Sequence, residues 1–417
     1  MIISGVSGNE IYCLSLKGFA PGEVAVGNSV RSLGLGGALG AFGKSLAGGE
    51  ITEFTSLISE GRHAAISRME HEAHARNASG VTGVVSELRT LAGYTEFLSQ
   101  GTGVHANHQR PFFSTAASGI ELYCHMDAGY QPIRFVMGNV AYALGIGRGI
   151  MGSVRTFAQG EVIEFSQMYN SIRHMALERL KMEAAQAGAN AVVDVKIEMI
   201  PFGPGTIELL MTGTASFHPK LSPGPVHPQQ VVTSELSGEE LWNLAKLGYA
   251  PIQLVMATSV YSLGLAAGIG TMFKSMSRGE LPEVTQLIYK ARENCLELMR
   301  REAAQLGAER VIGNRLSIRE LSPGMIEVVA VGTAVRRAQA MEPETPQLIV
   351  QAVITERDSL EASSLTERNP YAGLGAQGAQ GMNLQQNPAG CLIAALFVLI
   401  PIALSCLGAI ISAMSRH

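Results

Sequence analysis

SGIELYCHMDAGY, residues 118–130, opens a stretch that closes at Phe217, and the chain carries a version of it on either side. SGNEIYCLSLKGF at 7–19 answers it upstream and SGEELWNLAKLGY at 237–249 downstream. Further in, MGNVAYALGIG at 137–147 matches VGNSVRSLGLG at 26–36 and MATSVYSLGLA at 256–266. MEAAQAGANAVV at 182–193 matches HEAHARNASGVT at 71–82 and REAAQLGAERVI at 301–312. The offsets are constant. Ser7/Ser118, Gly34/Gly145, Gly49/Gly160 and Glu72/Glu183 are each 111 residues apart; Ser118/Ser237, Gly145/Gly264, Glu183/Glu302 and Gly213/Gly332 are each 119 apart. Solenoid repeats run to roughly 50 residues, so a period this long marks small domains in tandem. The modules are placed at 1–104, 118–217 and 237–336.

Each module opens with Ser-Gly-x-Glu (Ser7/Glu10, Ser118/Glu121, Ser237/Glu240), the capping-box spacing that closes off free N–H groups at a helix start. Gly18, Gly129 and Gly248 then supply a C-terminal stop. A β-like run follows at Glu23–Gly27, Ile133–Met137 and Ile252–Met256. The next segment is glycine-rich yet spaces its bulky residues helically: Ser32–Gly49, Ala143–Gly160 and Ser262–Gly279. A long helix comes next. Phe165, Met168, Tyr169, Ile172, Ala176, Leu180 and Ala184 recur at helical spacing. The same columns hold Val284 to Ala303 in the third copy and Phe54 to Ala73 in the first. That helix stops at Asn77, Gly188 and Gly307. Two strands close the module, in the second copy Ala191–Ile200 and Thr206–Phe217. The expected fold class is α+β, three tandem α-β-α-α-β-β modules. His105–Ala117 and His218–Thr233 read as linkers between them, and 337–388 as a flexible linker rich in Gly, Gln and Asn after 369.

Cys391–Met414 is 24 residues without a charge, enough for one transmembrane helix. It predicts a single-pass C-terminal anchor in a lipid bilayer, with residues 1–387 on the cytoplasmic side. The first residues carry no basic segment followed by an apolar run, so no signal peptide is expected. A net charge of −4 gives no reason to expect nucleic acid as a partner. Five cysteines at scattered positions fit a reducing compartment better than a disulfide framework.

Candidate chemistry is thin. His71 and His74 lie three apart on the long helix of the first copy, and Cys124 adjoins His125 on a leading helix; these three are the candidate metal ligands. The sister positions of the histidines are Met182 and Ala185, then Arg301 and Ala304, so the pair belongs to one copy. Gly147-x-Gly149-x-x-Gly152 matches a dinucleotide fingerprint by letter, but it stands some ten residues after its strand and reads instead as close helix packing. No cofactor is expected. The recurrent glutamates are Glu10/121/240, read as caps, Glu50/161/280, read as helix starts, and Glu72/183/302, read as an exposed face. The only aspartates, Asp127, Asp194 and Asp358, do not recur, and no nucleophile–base–orienter set is present, so an enzyme is not expected.

Gly188-Ala-Asn-Ala-Val-Val193 after the long helix, with Gly213-Thr-Ala215 in the last strand, resembles the YbjQ-like family, whose members are described as heavy-metal-binding. The resemblance extends to Gly307–Ile312 and, in degenerate form, Asn77–Thr82. It implies small two-layer, dodecin-like modules that associate into rings, typically pentamers, and hence a homo-oligomer. No Cys/His set is common to the three copies, so the metal label does not carry over residue by residue. The expected function is a membrane-tethered, self-assembling scaffold forming a ring, cap or shell, each module contributing to a ring layer of its own. The alternative is a membrane-anchored metal- or small-ligand-binding sensor.

Overall fold

The leading helices stand where the capping boxes place them. In the computed structural model, which describes residues 1–32, 49–91, 94–143, 160–203, 206–224, 226–263, 282–322, 325–338 and 341–353, they are α1 (Gly8–Leu16), α3 (Gly119–Asp127) and α5 (Gly238–Lys246). Ser7 and Ser237 form complete capping boxes with Glu10 and Glu240. Ser118 accepts from the Glu121 backbone N–H, but the Glu121 carboxylate is turned elsewhere. Gly18, Gly129 and Gly248 follow at φ of 77°, 95° and 72°, the left-handed stop read from the sequence.

The first long strand of each module exceeds its expected run at both ends: β1 (Phe19–Arg31), β6 (Gln131–Ala143) and β11 (Tyr249–Ser262). Each is bulged at a proline, Pro21, Pro132 or Pro251, which cannot donate to a ladder. The long helices are α2 (Thr52–Ala75), α4 (Ile163–Gln186) and α6 (Pro282–Gln305). Their apolar columns are buried as the periodicity requires: Phe54, Ile58, Ala65, Met69 and Ala73 in α2, Phe165, Tyr169, Ile172, Ala176, Leu180 and Ala184 in α4. Asn77, Gly188 and Gly307 end them at φ of 58°, 81° and 69°. Gly138 shows why the strand can lie so close to its helix. A Cβ there would stand 2.0 Å from the Ala176 carbonyl oxygen, and one on Gly27 2.1 Å from that of Ala65.

Three two-layer modules result. In each, the first strand pairs with the last and the last with the middle one, all antiparallel: β1 with β4 (Tyr94–Ala106) with β3 (Gly80–Leu91), β6 with β9 (Thr206–Phe217) with β8 (Ala191–Gly203), and β11 with β13 (Met325–Arg337) with β12 (Arg310–Ser322). The long helix covers one face. All three modules lie in one compact unit, Met1–Tyr371; a second, Ala372–His417, lies outside the described residues.

Several expectations need correction. The segments read as linkers are built into the sheets: β5 (Phe113–Ser114) pairs in parallel with β3, and β10 (Val232–Thr233) with β8. A free linker would leave their backbone groups to water, whereas Ser114, Thr115 and Thr233 are buried and hydrogen-bonded on both sides. The start of the segment assigned to 337–388 is likewise held. Met341 and Ala352 are buried, and the turn α7 (Val350–Val353) packs on α1 and α3. Modules of one chain are therefore each other's lateral neighbours, not members of separate layers. The additional glycine-rich helices, the Gly147–Gly152 match and the anchor at 391–414 fall outside the described residues almost entirely. Among the described residues no helix is long and apolar enough to cross a membrane.

Candidate functional site

The most elaborate chemistry in the molecule lies where one module meets the next. Arg62 on α2 reaches into the second module and pairs with Glu208 on β9 by two parallel bonds, Nε–Oε1 at 3.0 Å and Nη2–Oε2 at 2.6 Å. Both side chains are fully buried. Arg62 Nη1 also donates to the Ser86 carbonyl and hydroxyl, and Asn139 Nδ2 donates to Glu208. One joint later, Arg173 on α4 pairs with Glu327 on β13 at 2.7 Å, again buried. Arg62 and Arg173 are sister positions, as are Glu208 and Glu327, which face Ala141 and Val260 across their ladders. A planar bidentate fork suits such a site, and a buried ion pair stripped of one partner costs about 3–5 kcal/mol.

The backbone repeats the pattern. Gly49–Glu50 (β2) adds to β6, and Gly160–Glu161 (β7) adds to β11. The Thr55 hydroxyl accepts from the Ala141 N–H at 3.0 Å, and the Ser166 hydroxyl from that of Val260 at 2.8 Å. Ile51 donates to the Ala141 carbonyl and Val162 to that of Val260, each at 2.8 Å. Glu50 and Glu161, read as helix starts, are joint residues. Glu50 accepts from Arg179 of the second module and Glu161 from Ser259 of the third. The inserted strands act as two-sided adaptors. Thr115 bonds Val81 behind it and Thr214 ahead, and Ser234 bonds Val192 behind and Thr333 ahead. Apolar packing crosses the joints as well: Ile58 and Phe97 share a core with Ala141 and Ala143, and Tyr169 shares one with Val260 and Met325.

The leading helices form a third contact line. Gly119 donates to the Glu10 carboxylate at 2.9 Å, and Gly238 donates to that of Glu121 in the same manner. Burial and the neighbouring Asp194 raise the Glu121 carboxyl to about 7. Asp127 on α3 gathers three partners: Lys17, just past α1, at 2.7 Å, Trp242 of α5 at 2.8 Å and Thr345 of the C-terminal segment at 2.7 Å. Its carboxyl is held below its usual range by these donors, which outweigh the effect of burial. Glu72, Glu183 and Glu302 correct the reading of an exposed face. Each is partly buried and accepts the N–H of a first-strand residue in its own module, Val26, Met137 or Met256. Burial raises Glu302 to about 7.

The candidate metal ligands are not brought together. His71 and His74 are exposed on α2, with His74 stacked on Phe112 at 3.9 Å between ring centroids. Cys124 is buried on α3 beside Cys13 and Tyr123, and burial pushes its thiol well above the ordinary range, away from the thiolate a metal needs. Among the described residues no group of three or more His, Cys, Asp or Glu could hold a metal ion. The joint arginines and glutamates were missed although a signal exists. Arg62, Arg173 and Arg292 recur on the long helices, and Glu96, Glu208 and Glu327 each stand at the same place in the closing strand.

The fold and its joints thus define a class: tandem βαββ modules that share cores with their neighbours. The profile of a family described as "Putative heavy-metal-binding", the YbjQ-like family, matches residues 20–107, 129–218 and 248–338. The chain belongs to this family, with three copies of its domain. Among the described residues the side chains do not fit the heavy metal in that description, since the donors required are scattered or held as buried thiols. Among curated proteins, an encapsulin nanocompartment protein of Mycobacterium tuberculosis is 29% identical over 250 residues, 58% of this chain and 93% of that protein. A UPF0145 protein of Methanoregula boonei is 41% identical over 85 residues, 20% of this chain and 71% of the relative. Another, of Dehalococcoides mccartyi, is 35% identical over 91 residues, 21% and 88% respectively. No solved structure matches the chain significantly.

Proposed function

We propose that the protein is a self-assembling structural subunit that builds a ring, cap or shell with further copies of itself, and that it performs no catalysis. The observation that carries this reading is the joint used twice within one chain by sister residues, Arg62–Glu208 and Arg173–Glu327. A surface that binds a copy of its own module at two successive places is made for propagation. The similarity to an encapsulin nanocompartment protein over most of that protein's length supports the same reading. We also propose that Cys391–Met414 tethers the assembly to a bilayer, on the strength of its 24 uncharged residues, with the modules on the cytoplasmic side.

Detergent-solubilised full-length protein, sized by light scattering and imaged by electron microscopy, tests the assembly. Rings or shells of uniform mass are expected, and a monodisperse monomer at micromolar concentration overturns the reading. Membranes washed at high pH test the tether: the full chain stays with the bilayer, and a chain ending at residue 388 is released.

A further inference from the structure

The two joints inside the chain leave half a joint at each end. In the second and third modules the first strand is covered by its predecessor: Met137 and Ala141 are 3% and 0% exposed, Met256 and Val260 2% and 0%. Their sisters in the first module, Val26 and Val30, are 44% and 58% exposed. Across the ladder from Val30 stands Glu96, as Glu208 stands across from Ala141 and Glu327 across from Val260. No arginine reaches Glu96 among the described residues; its recorded bond is a long one from Asn28. The third module has the reverse half. Arg292, sister to Arg62 and Arg173, is exposed on α6, and so is Thr285, sister to Thr55 and Ser166. Its strand β12 is a sheet edge among the described residues, whereas its sisters β3 and β8 each take an inserted strand in parallel.

The missing inserted strand is also present, at the other end of the molecule. Ile2 and Ile3 are sisters of Phe113–Ser114 and Val232–Thr233 by the same offsets. Their position agrees: Val24 donates to the Ile3 carbonyl, as its sisters Phe135 and Leu254 donate to the Ser114 and Thr233 hydroxyls. Yet Ile2 and Ile3 are 62% and 74% exposed, with no sheet on their outer side among the described residues.

We infer that the third module of one chain docks on the first module of a second copy, reproducing the internal joint. In this contact Arg292 pairs with Glu96 of the other copy, and Ile2–Ile3 of that copy add in parallel to β12 opposite Arg310 and Val311. The inference rests on the self-assembly reading and names its contact. The occupant is a second copy because both halves match joints already made in the chain, in charge sign and strand direction. An edge strand beside an exposed apolar segment of matching register is the arrangement in which β-augmentation gives both affinity and order.

The test is charge reversal in the full-length, detergent-solubilised protein. Arg292→Glu and Glu96→Arg are each expected to raise the concentration at which the assembly dissociates by at least about thirtyfold, with the double exchange restoring it. Both residues lie on the surface, and an unchanged unfolding profile checks that folding is preserved. In parallel, Ile3→Cys combined with Val311→Cys is expected to give a ladder of disulfide-linked chains that neither single variant gives. An assembly that survives both reversals and yields no ladder overturns the end joint and leaves self-assembly standing. A wild-type monomer overturns both.

Discussion

Replacing His125 by leucine is expected to stabilise the protein, and more so in acid. His125 lies on α3 at the position held by Leu14 in the first module and Leu244 in the third, both buried. The histidine is 2% exposed, and neither ring nitrogen has a hydrogen-bond partner among the described residues. The Glu121 carboxylate is 4.0 Å from Nε2, too far to bond, and its own carboxyl is raised to about 7, so in acid it supplies no counter-charge. Burial, with a smaller contribution from Lys196, therefore pushes the imidazole down to about 3. At pH 7 the cost is that of a polar group removed from water without a partner, about 1–3 kcal/mol. The pH term follows from linkage. A histidine whose folded value is depressed adds no pH-dependent cost above its unfolded value of 6.5 and destabilises increasingly as the pH falls towards 3. At pH 5 the loss is roughly 1.36 kcal/mol for each of about 1.5 pH units, or about 2 kcal/mol. His125→Leu should thus gain about 1–3 kcal/mol at pH 7 and about 2 kcal/mol more at pH 5. Trp242, the one tryptophan, is bonded to Asp127, two residues beyond His125, and reports this packing by fluorescence during urea unfolding. A midpoint that fails to rise, or rises equally at both pH values, refutes the reasoning.

Arg62→Met should destabilise the first joint by about 3–5 kcal/mol, because Glu208 is left buried without its partner; hydrogen exchange in β9 measures it, and an effect below about 1 kcal/mol would contradict the assigned role. Gly138→Ala should cost at least about 1–3 kcal/mol, since its Cβ meets backbone and not a movable side chain, and a thermal shift assay decides. Glu302 is raised to about 7, so its carboxyl opposes folding progressively as the pH rises from 4.5 to 7. Glu302→Gln still accepts from Met256 but cannot ionise, and the slope of melting temperature against pH in that window should flatten; an unchanged slope argues against the burial described. Metal analysis of untagged protein should find less than about 0.1 equivalent of any transition metal, given how tightly structural sites hold theirs.

Much of the module was legible because its rules are local. Capping boxes, glycine stops and the apolar columns of the long helices depend on residues a few positions apart, and Ser237, Gly248 and Met299 fall where they were expected. The joints depend on residues more than a hundred positions apart, such as Arg62 and Glu208, whose partnership no spacing rule announces. Residues 105–117 and 218–233 read as linkers because a two-residue parallel strand such as Phe113–Ser114 has too few residues to show any period. The recurrent glutamates were visible, but their acceptor roles were not. Glu72, Glu183 and Glu302 answer N–H groups of first-strand residues that precede them by 46 residues.

The adaptor strands have a mechanical consequence. Each is bonded to the module behind it and the module ahead, so every joint has two unlike sides, and they always face the same way along the chain. An object assembled through this contact is a vector. Two chains cannot meet face to face and satisfy each other, growth adds subunits in a fixed sense, and only closure of the first end on the last removes both ends. A fragment bearing one half-joint would therefore act as a cap on one terminus alone, halting extension there while the opposite terminus stays competent.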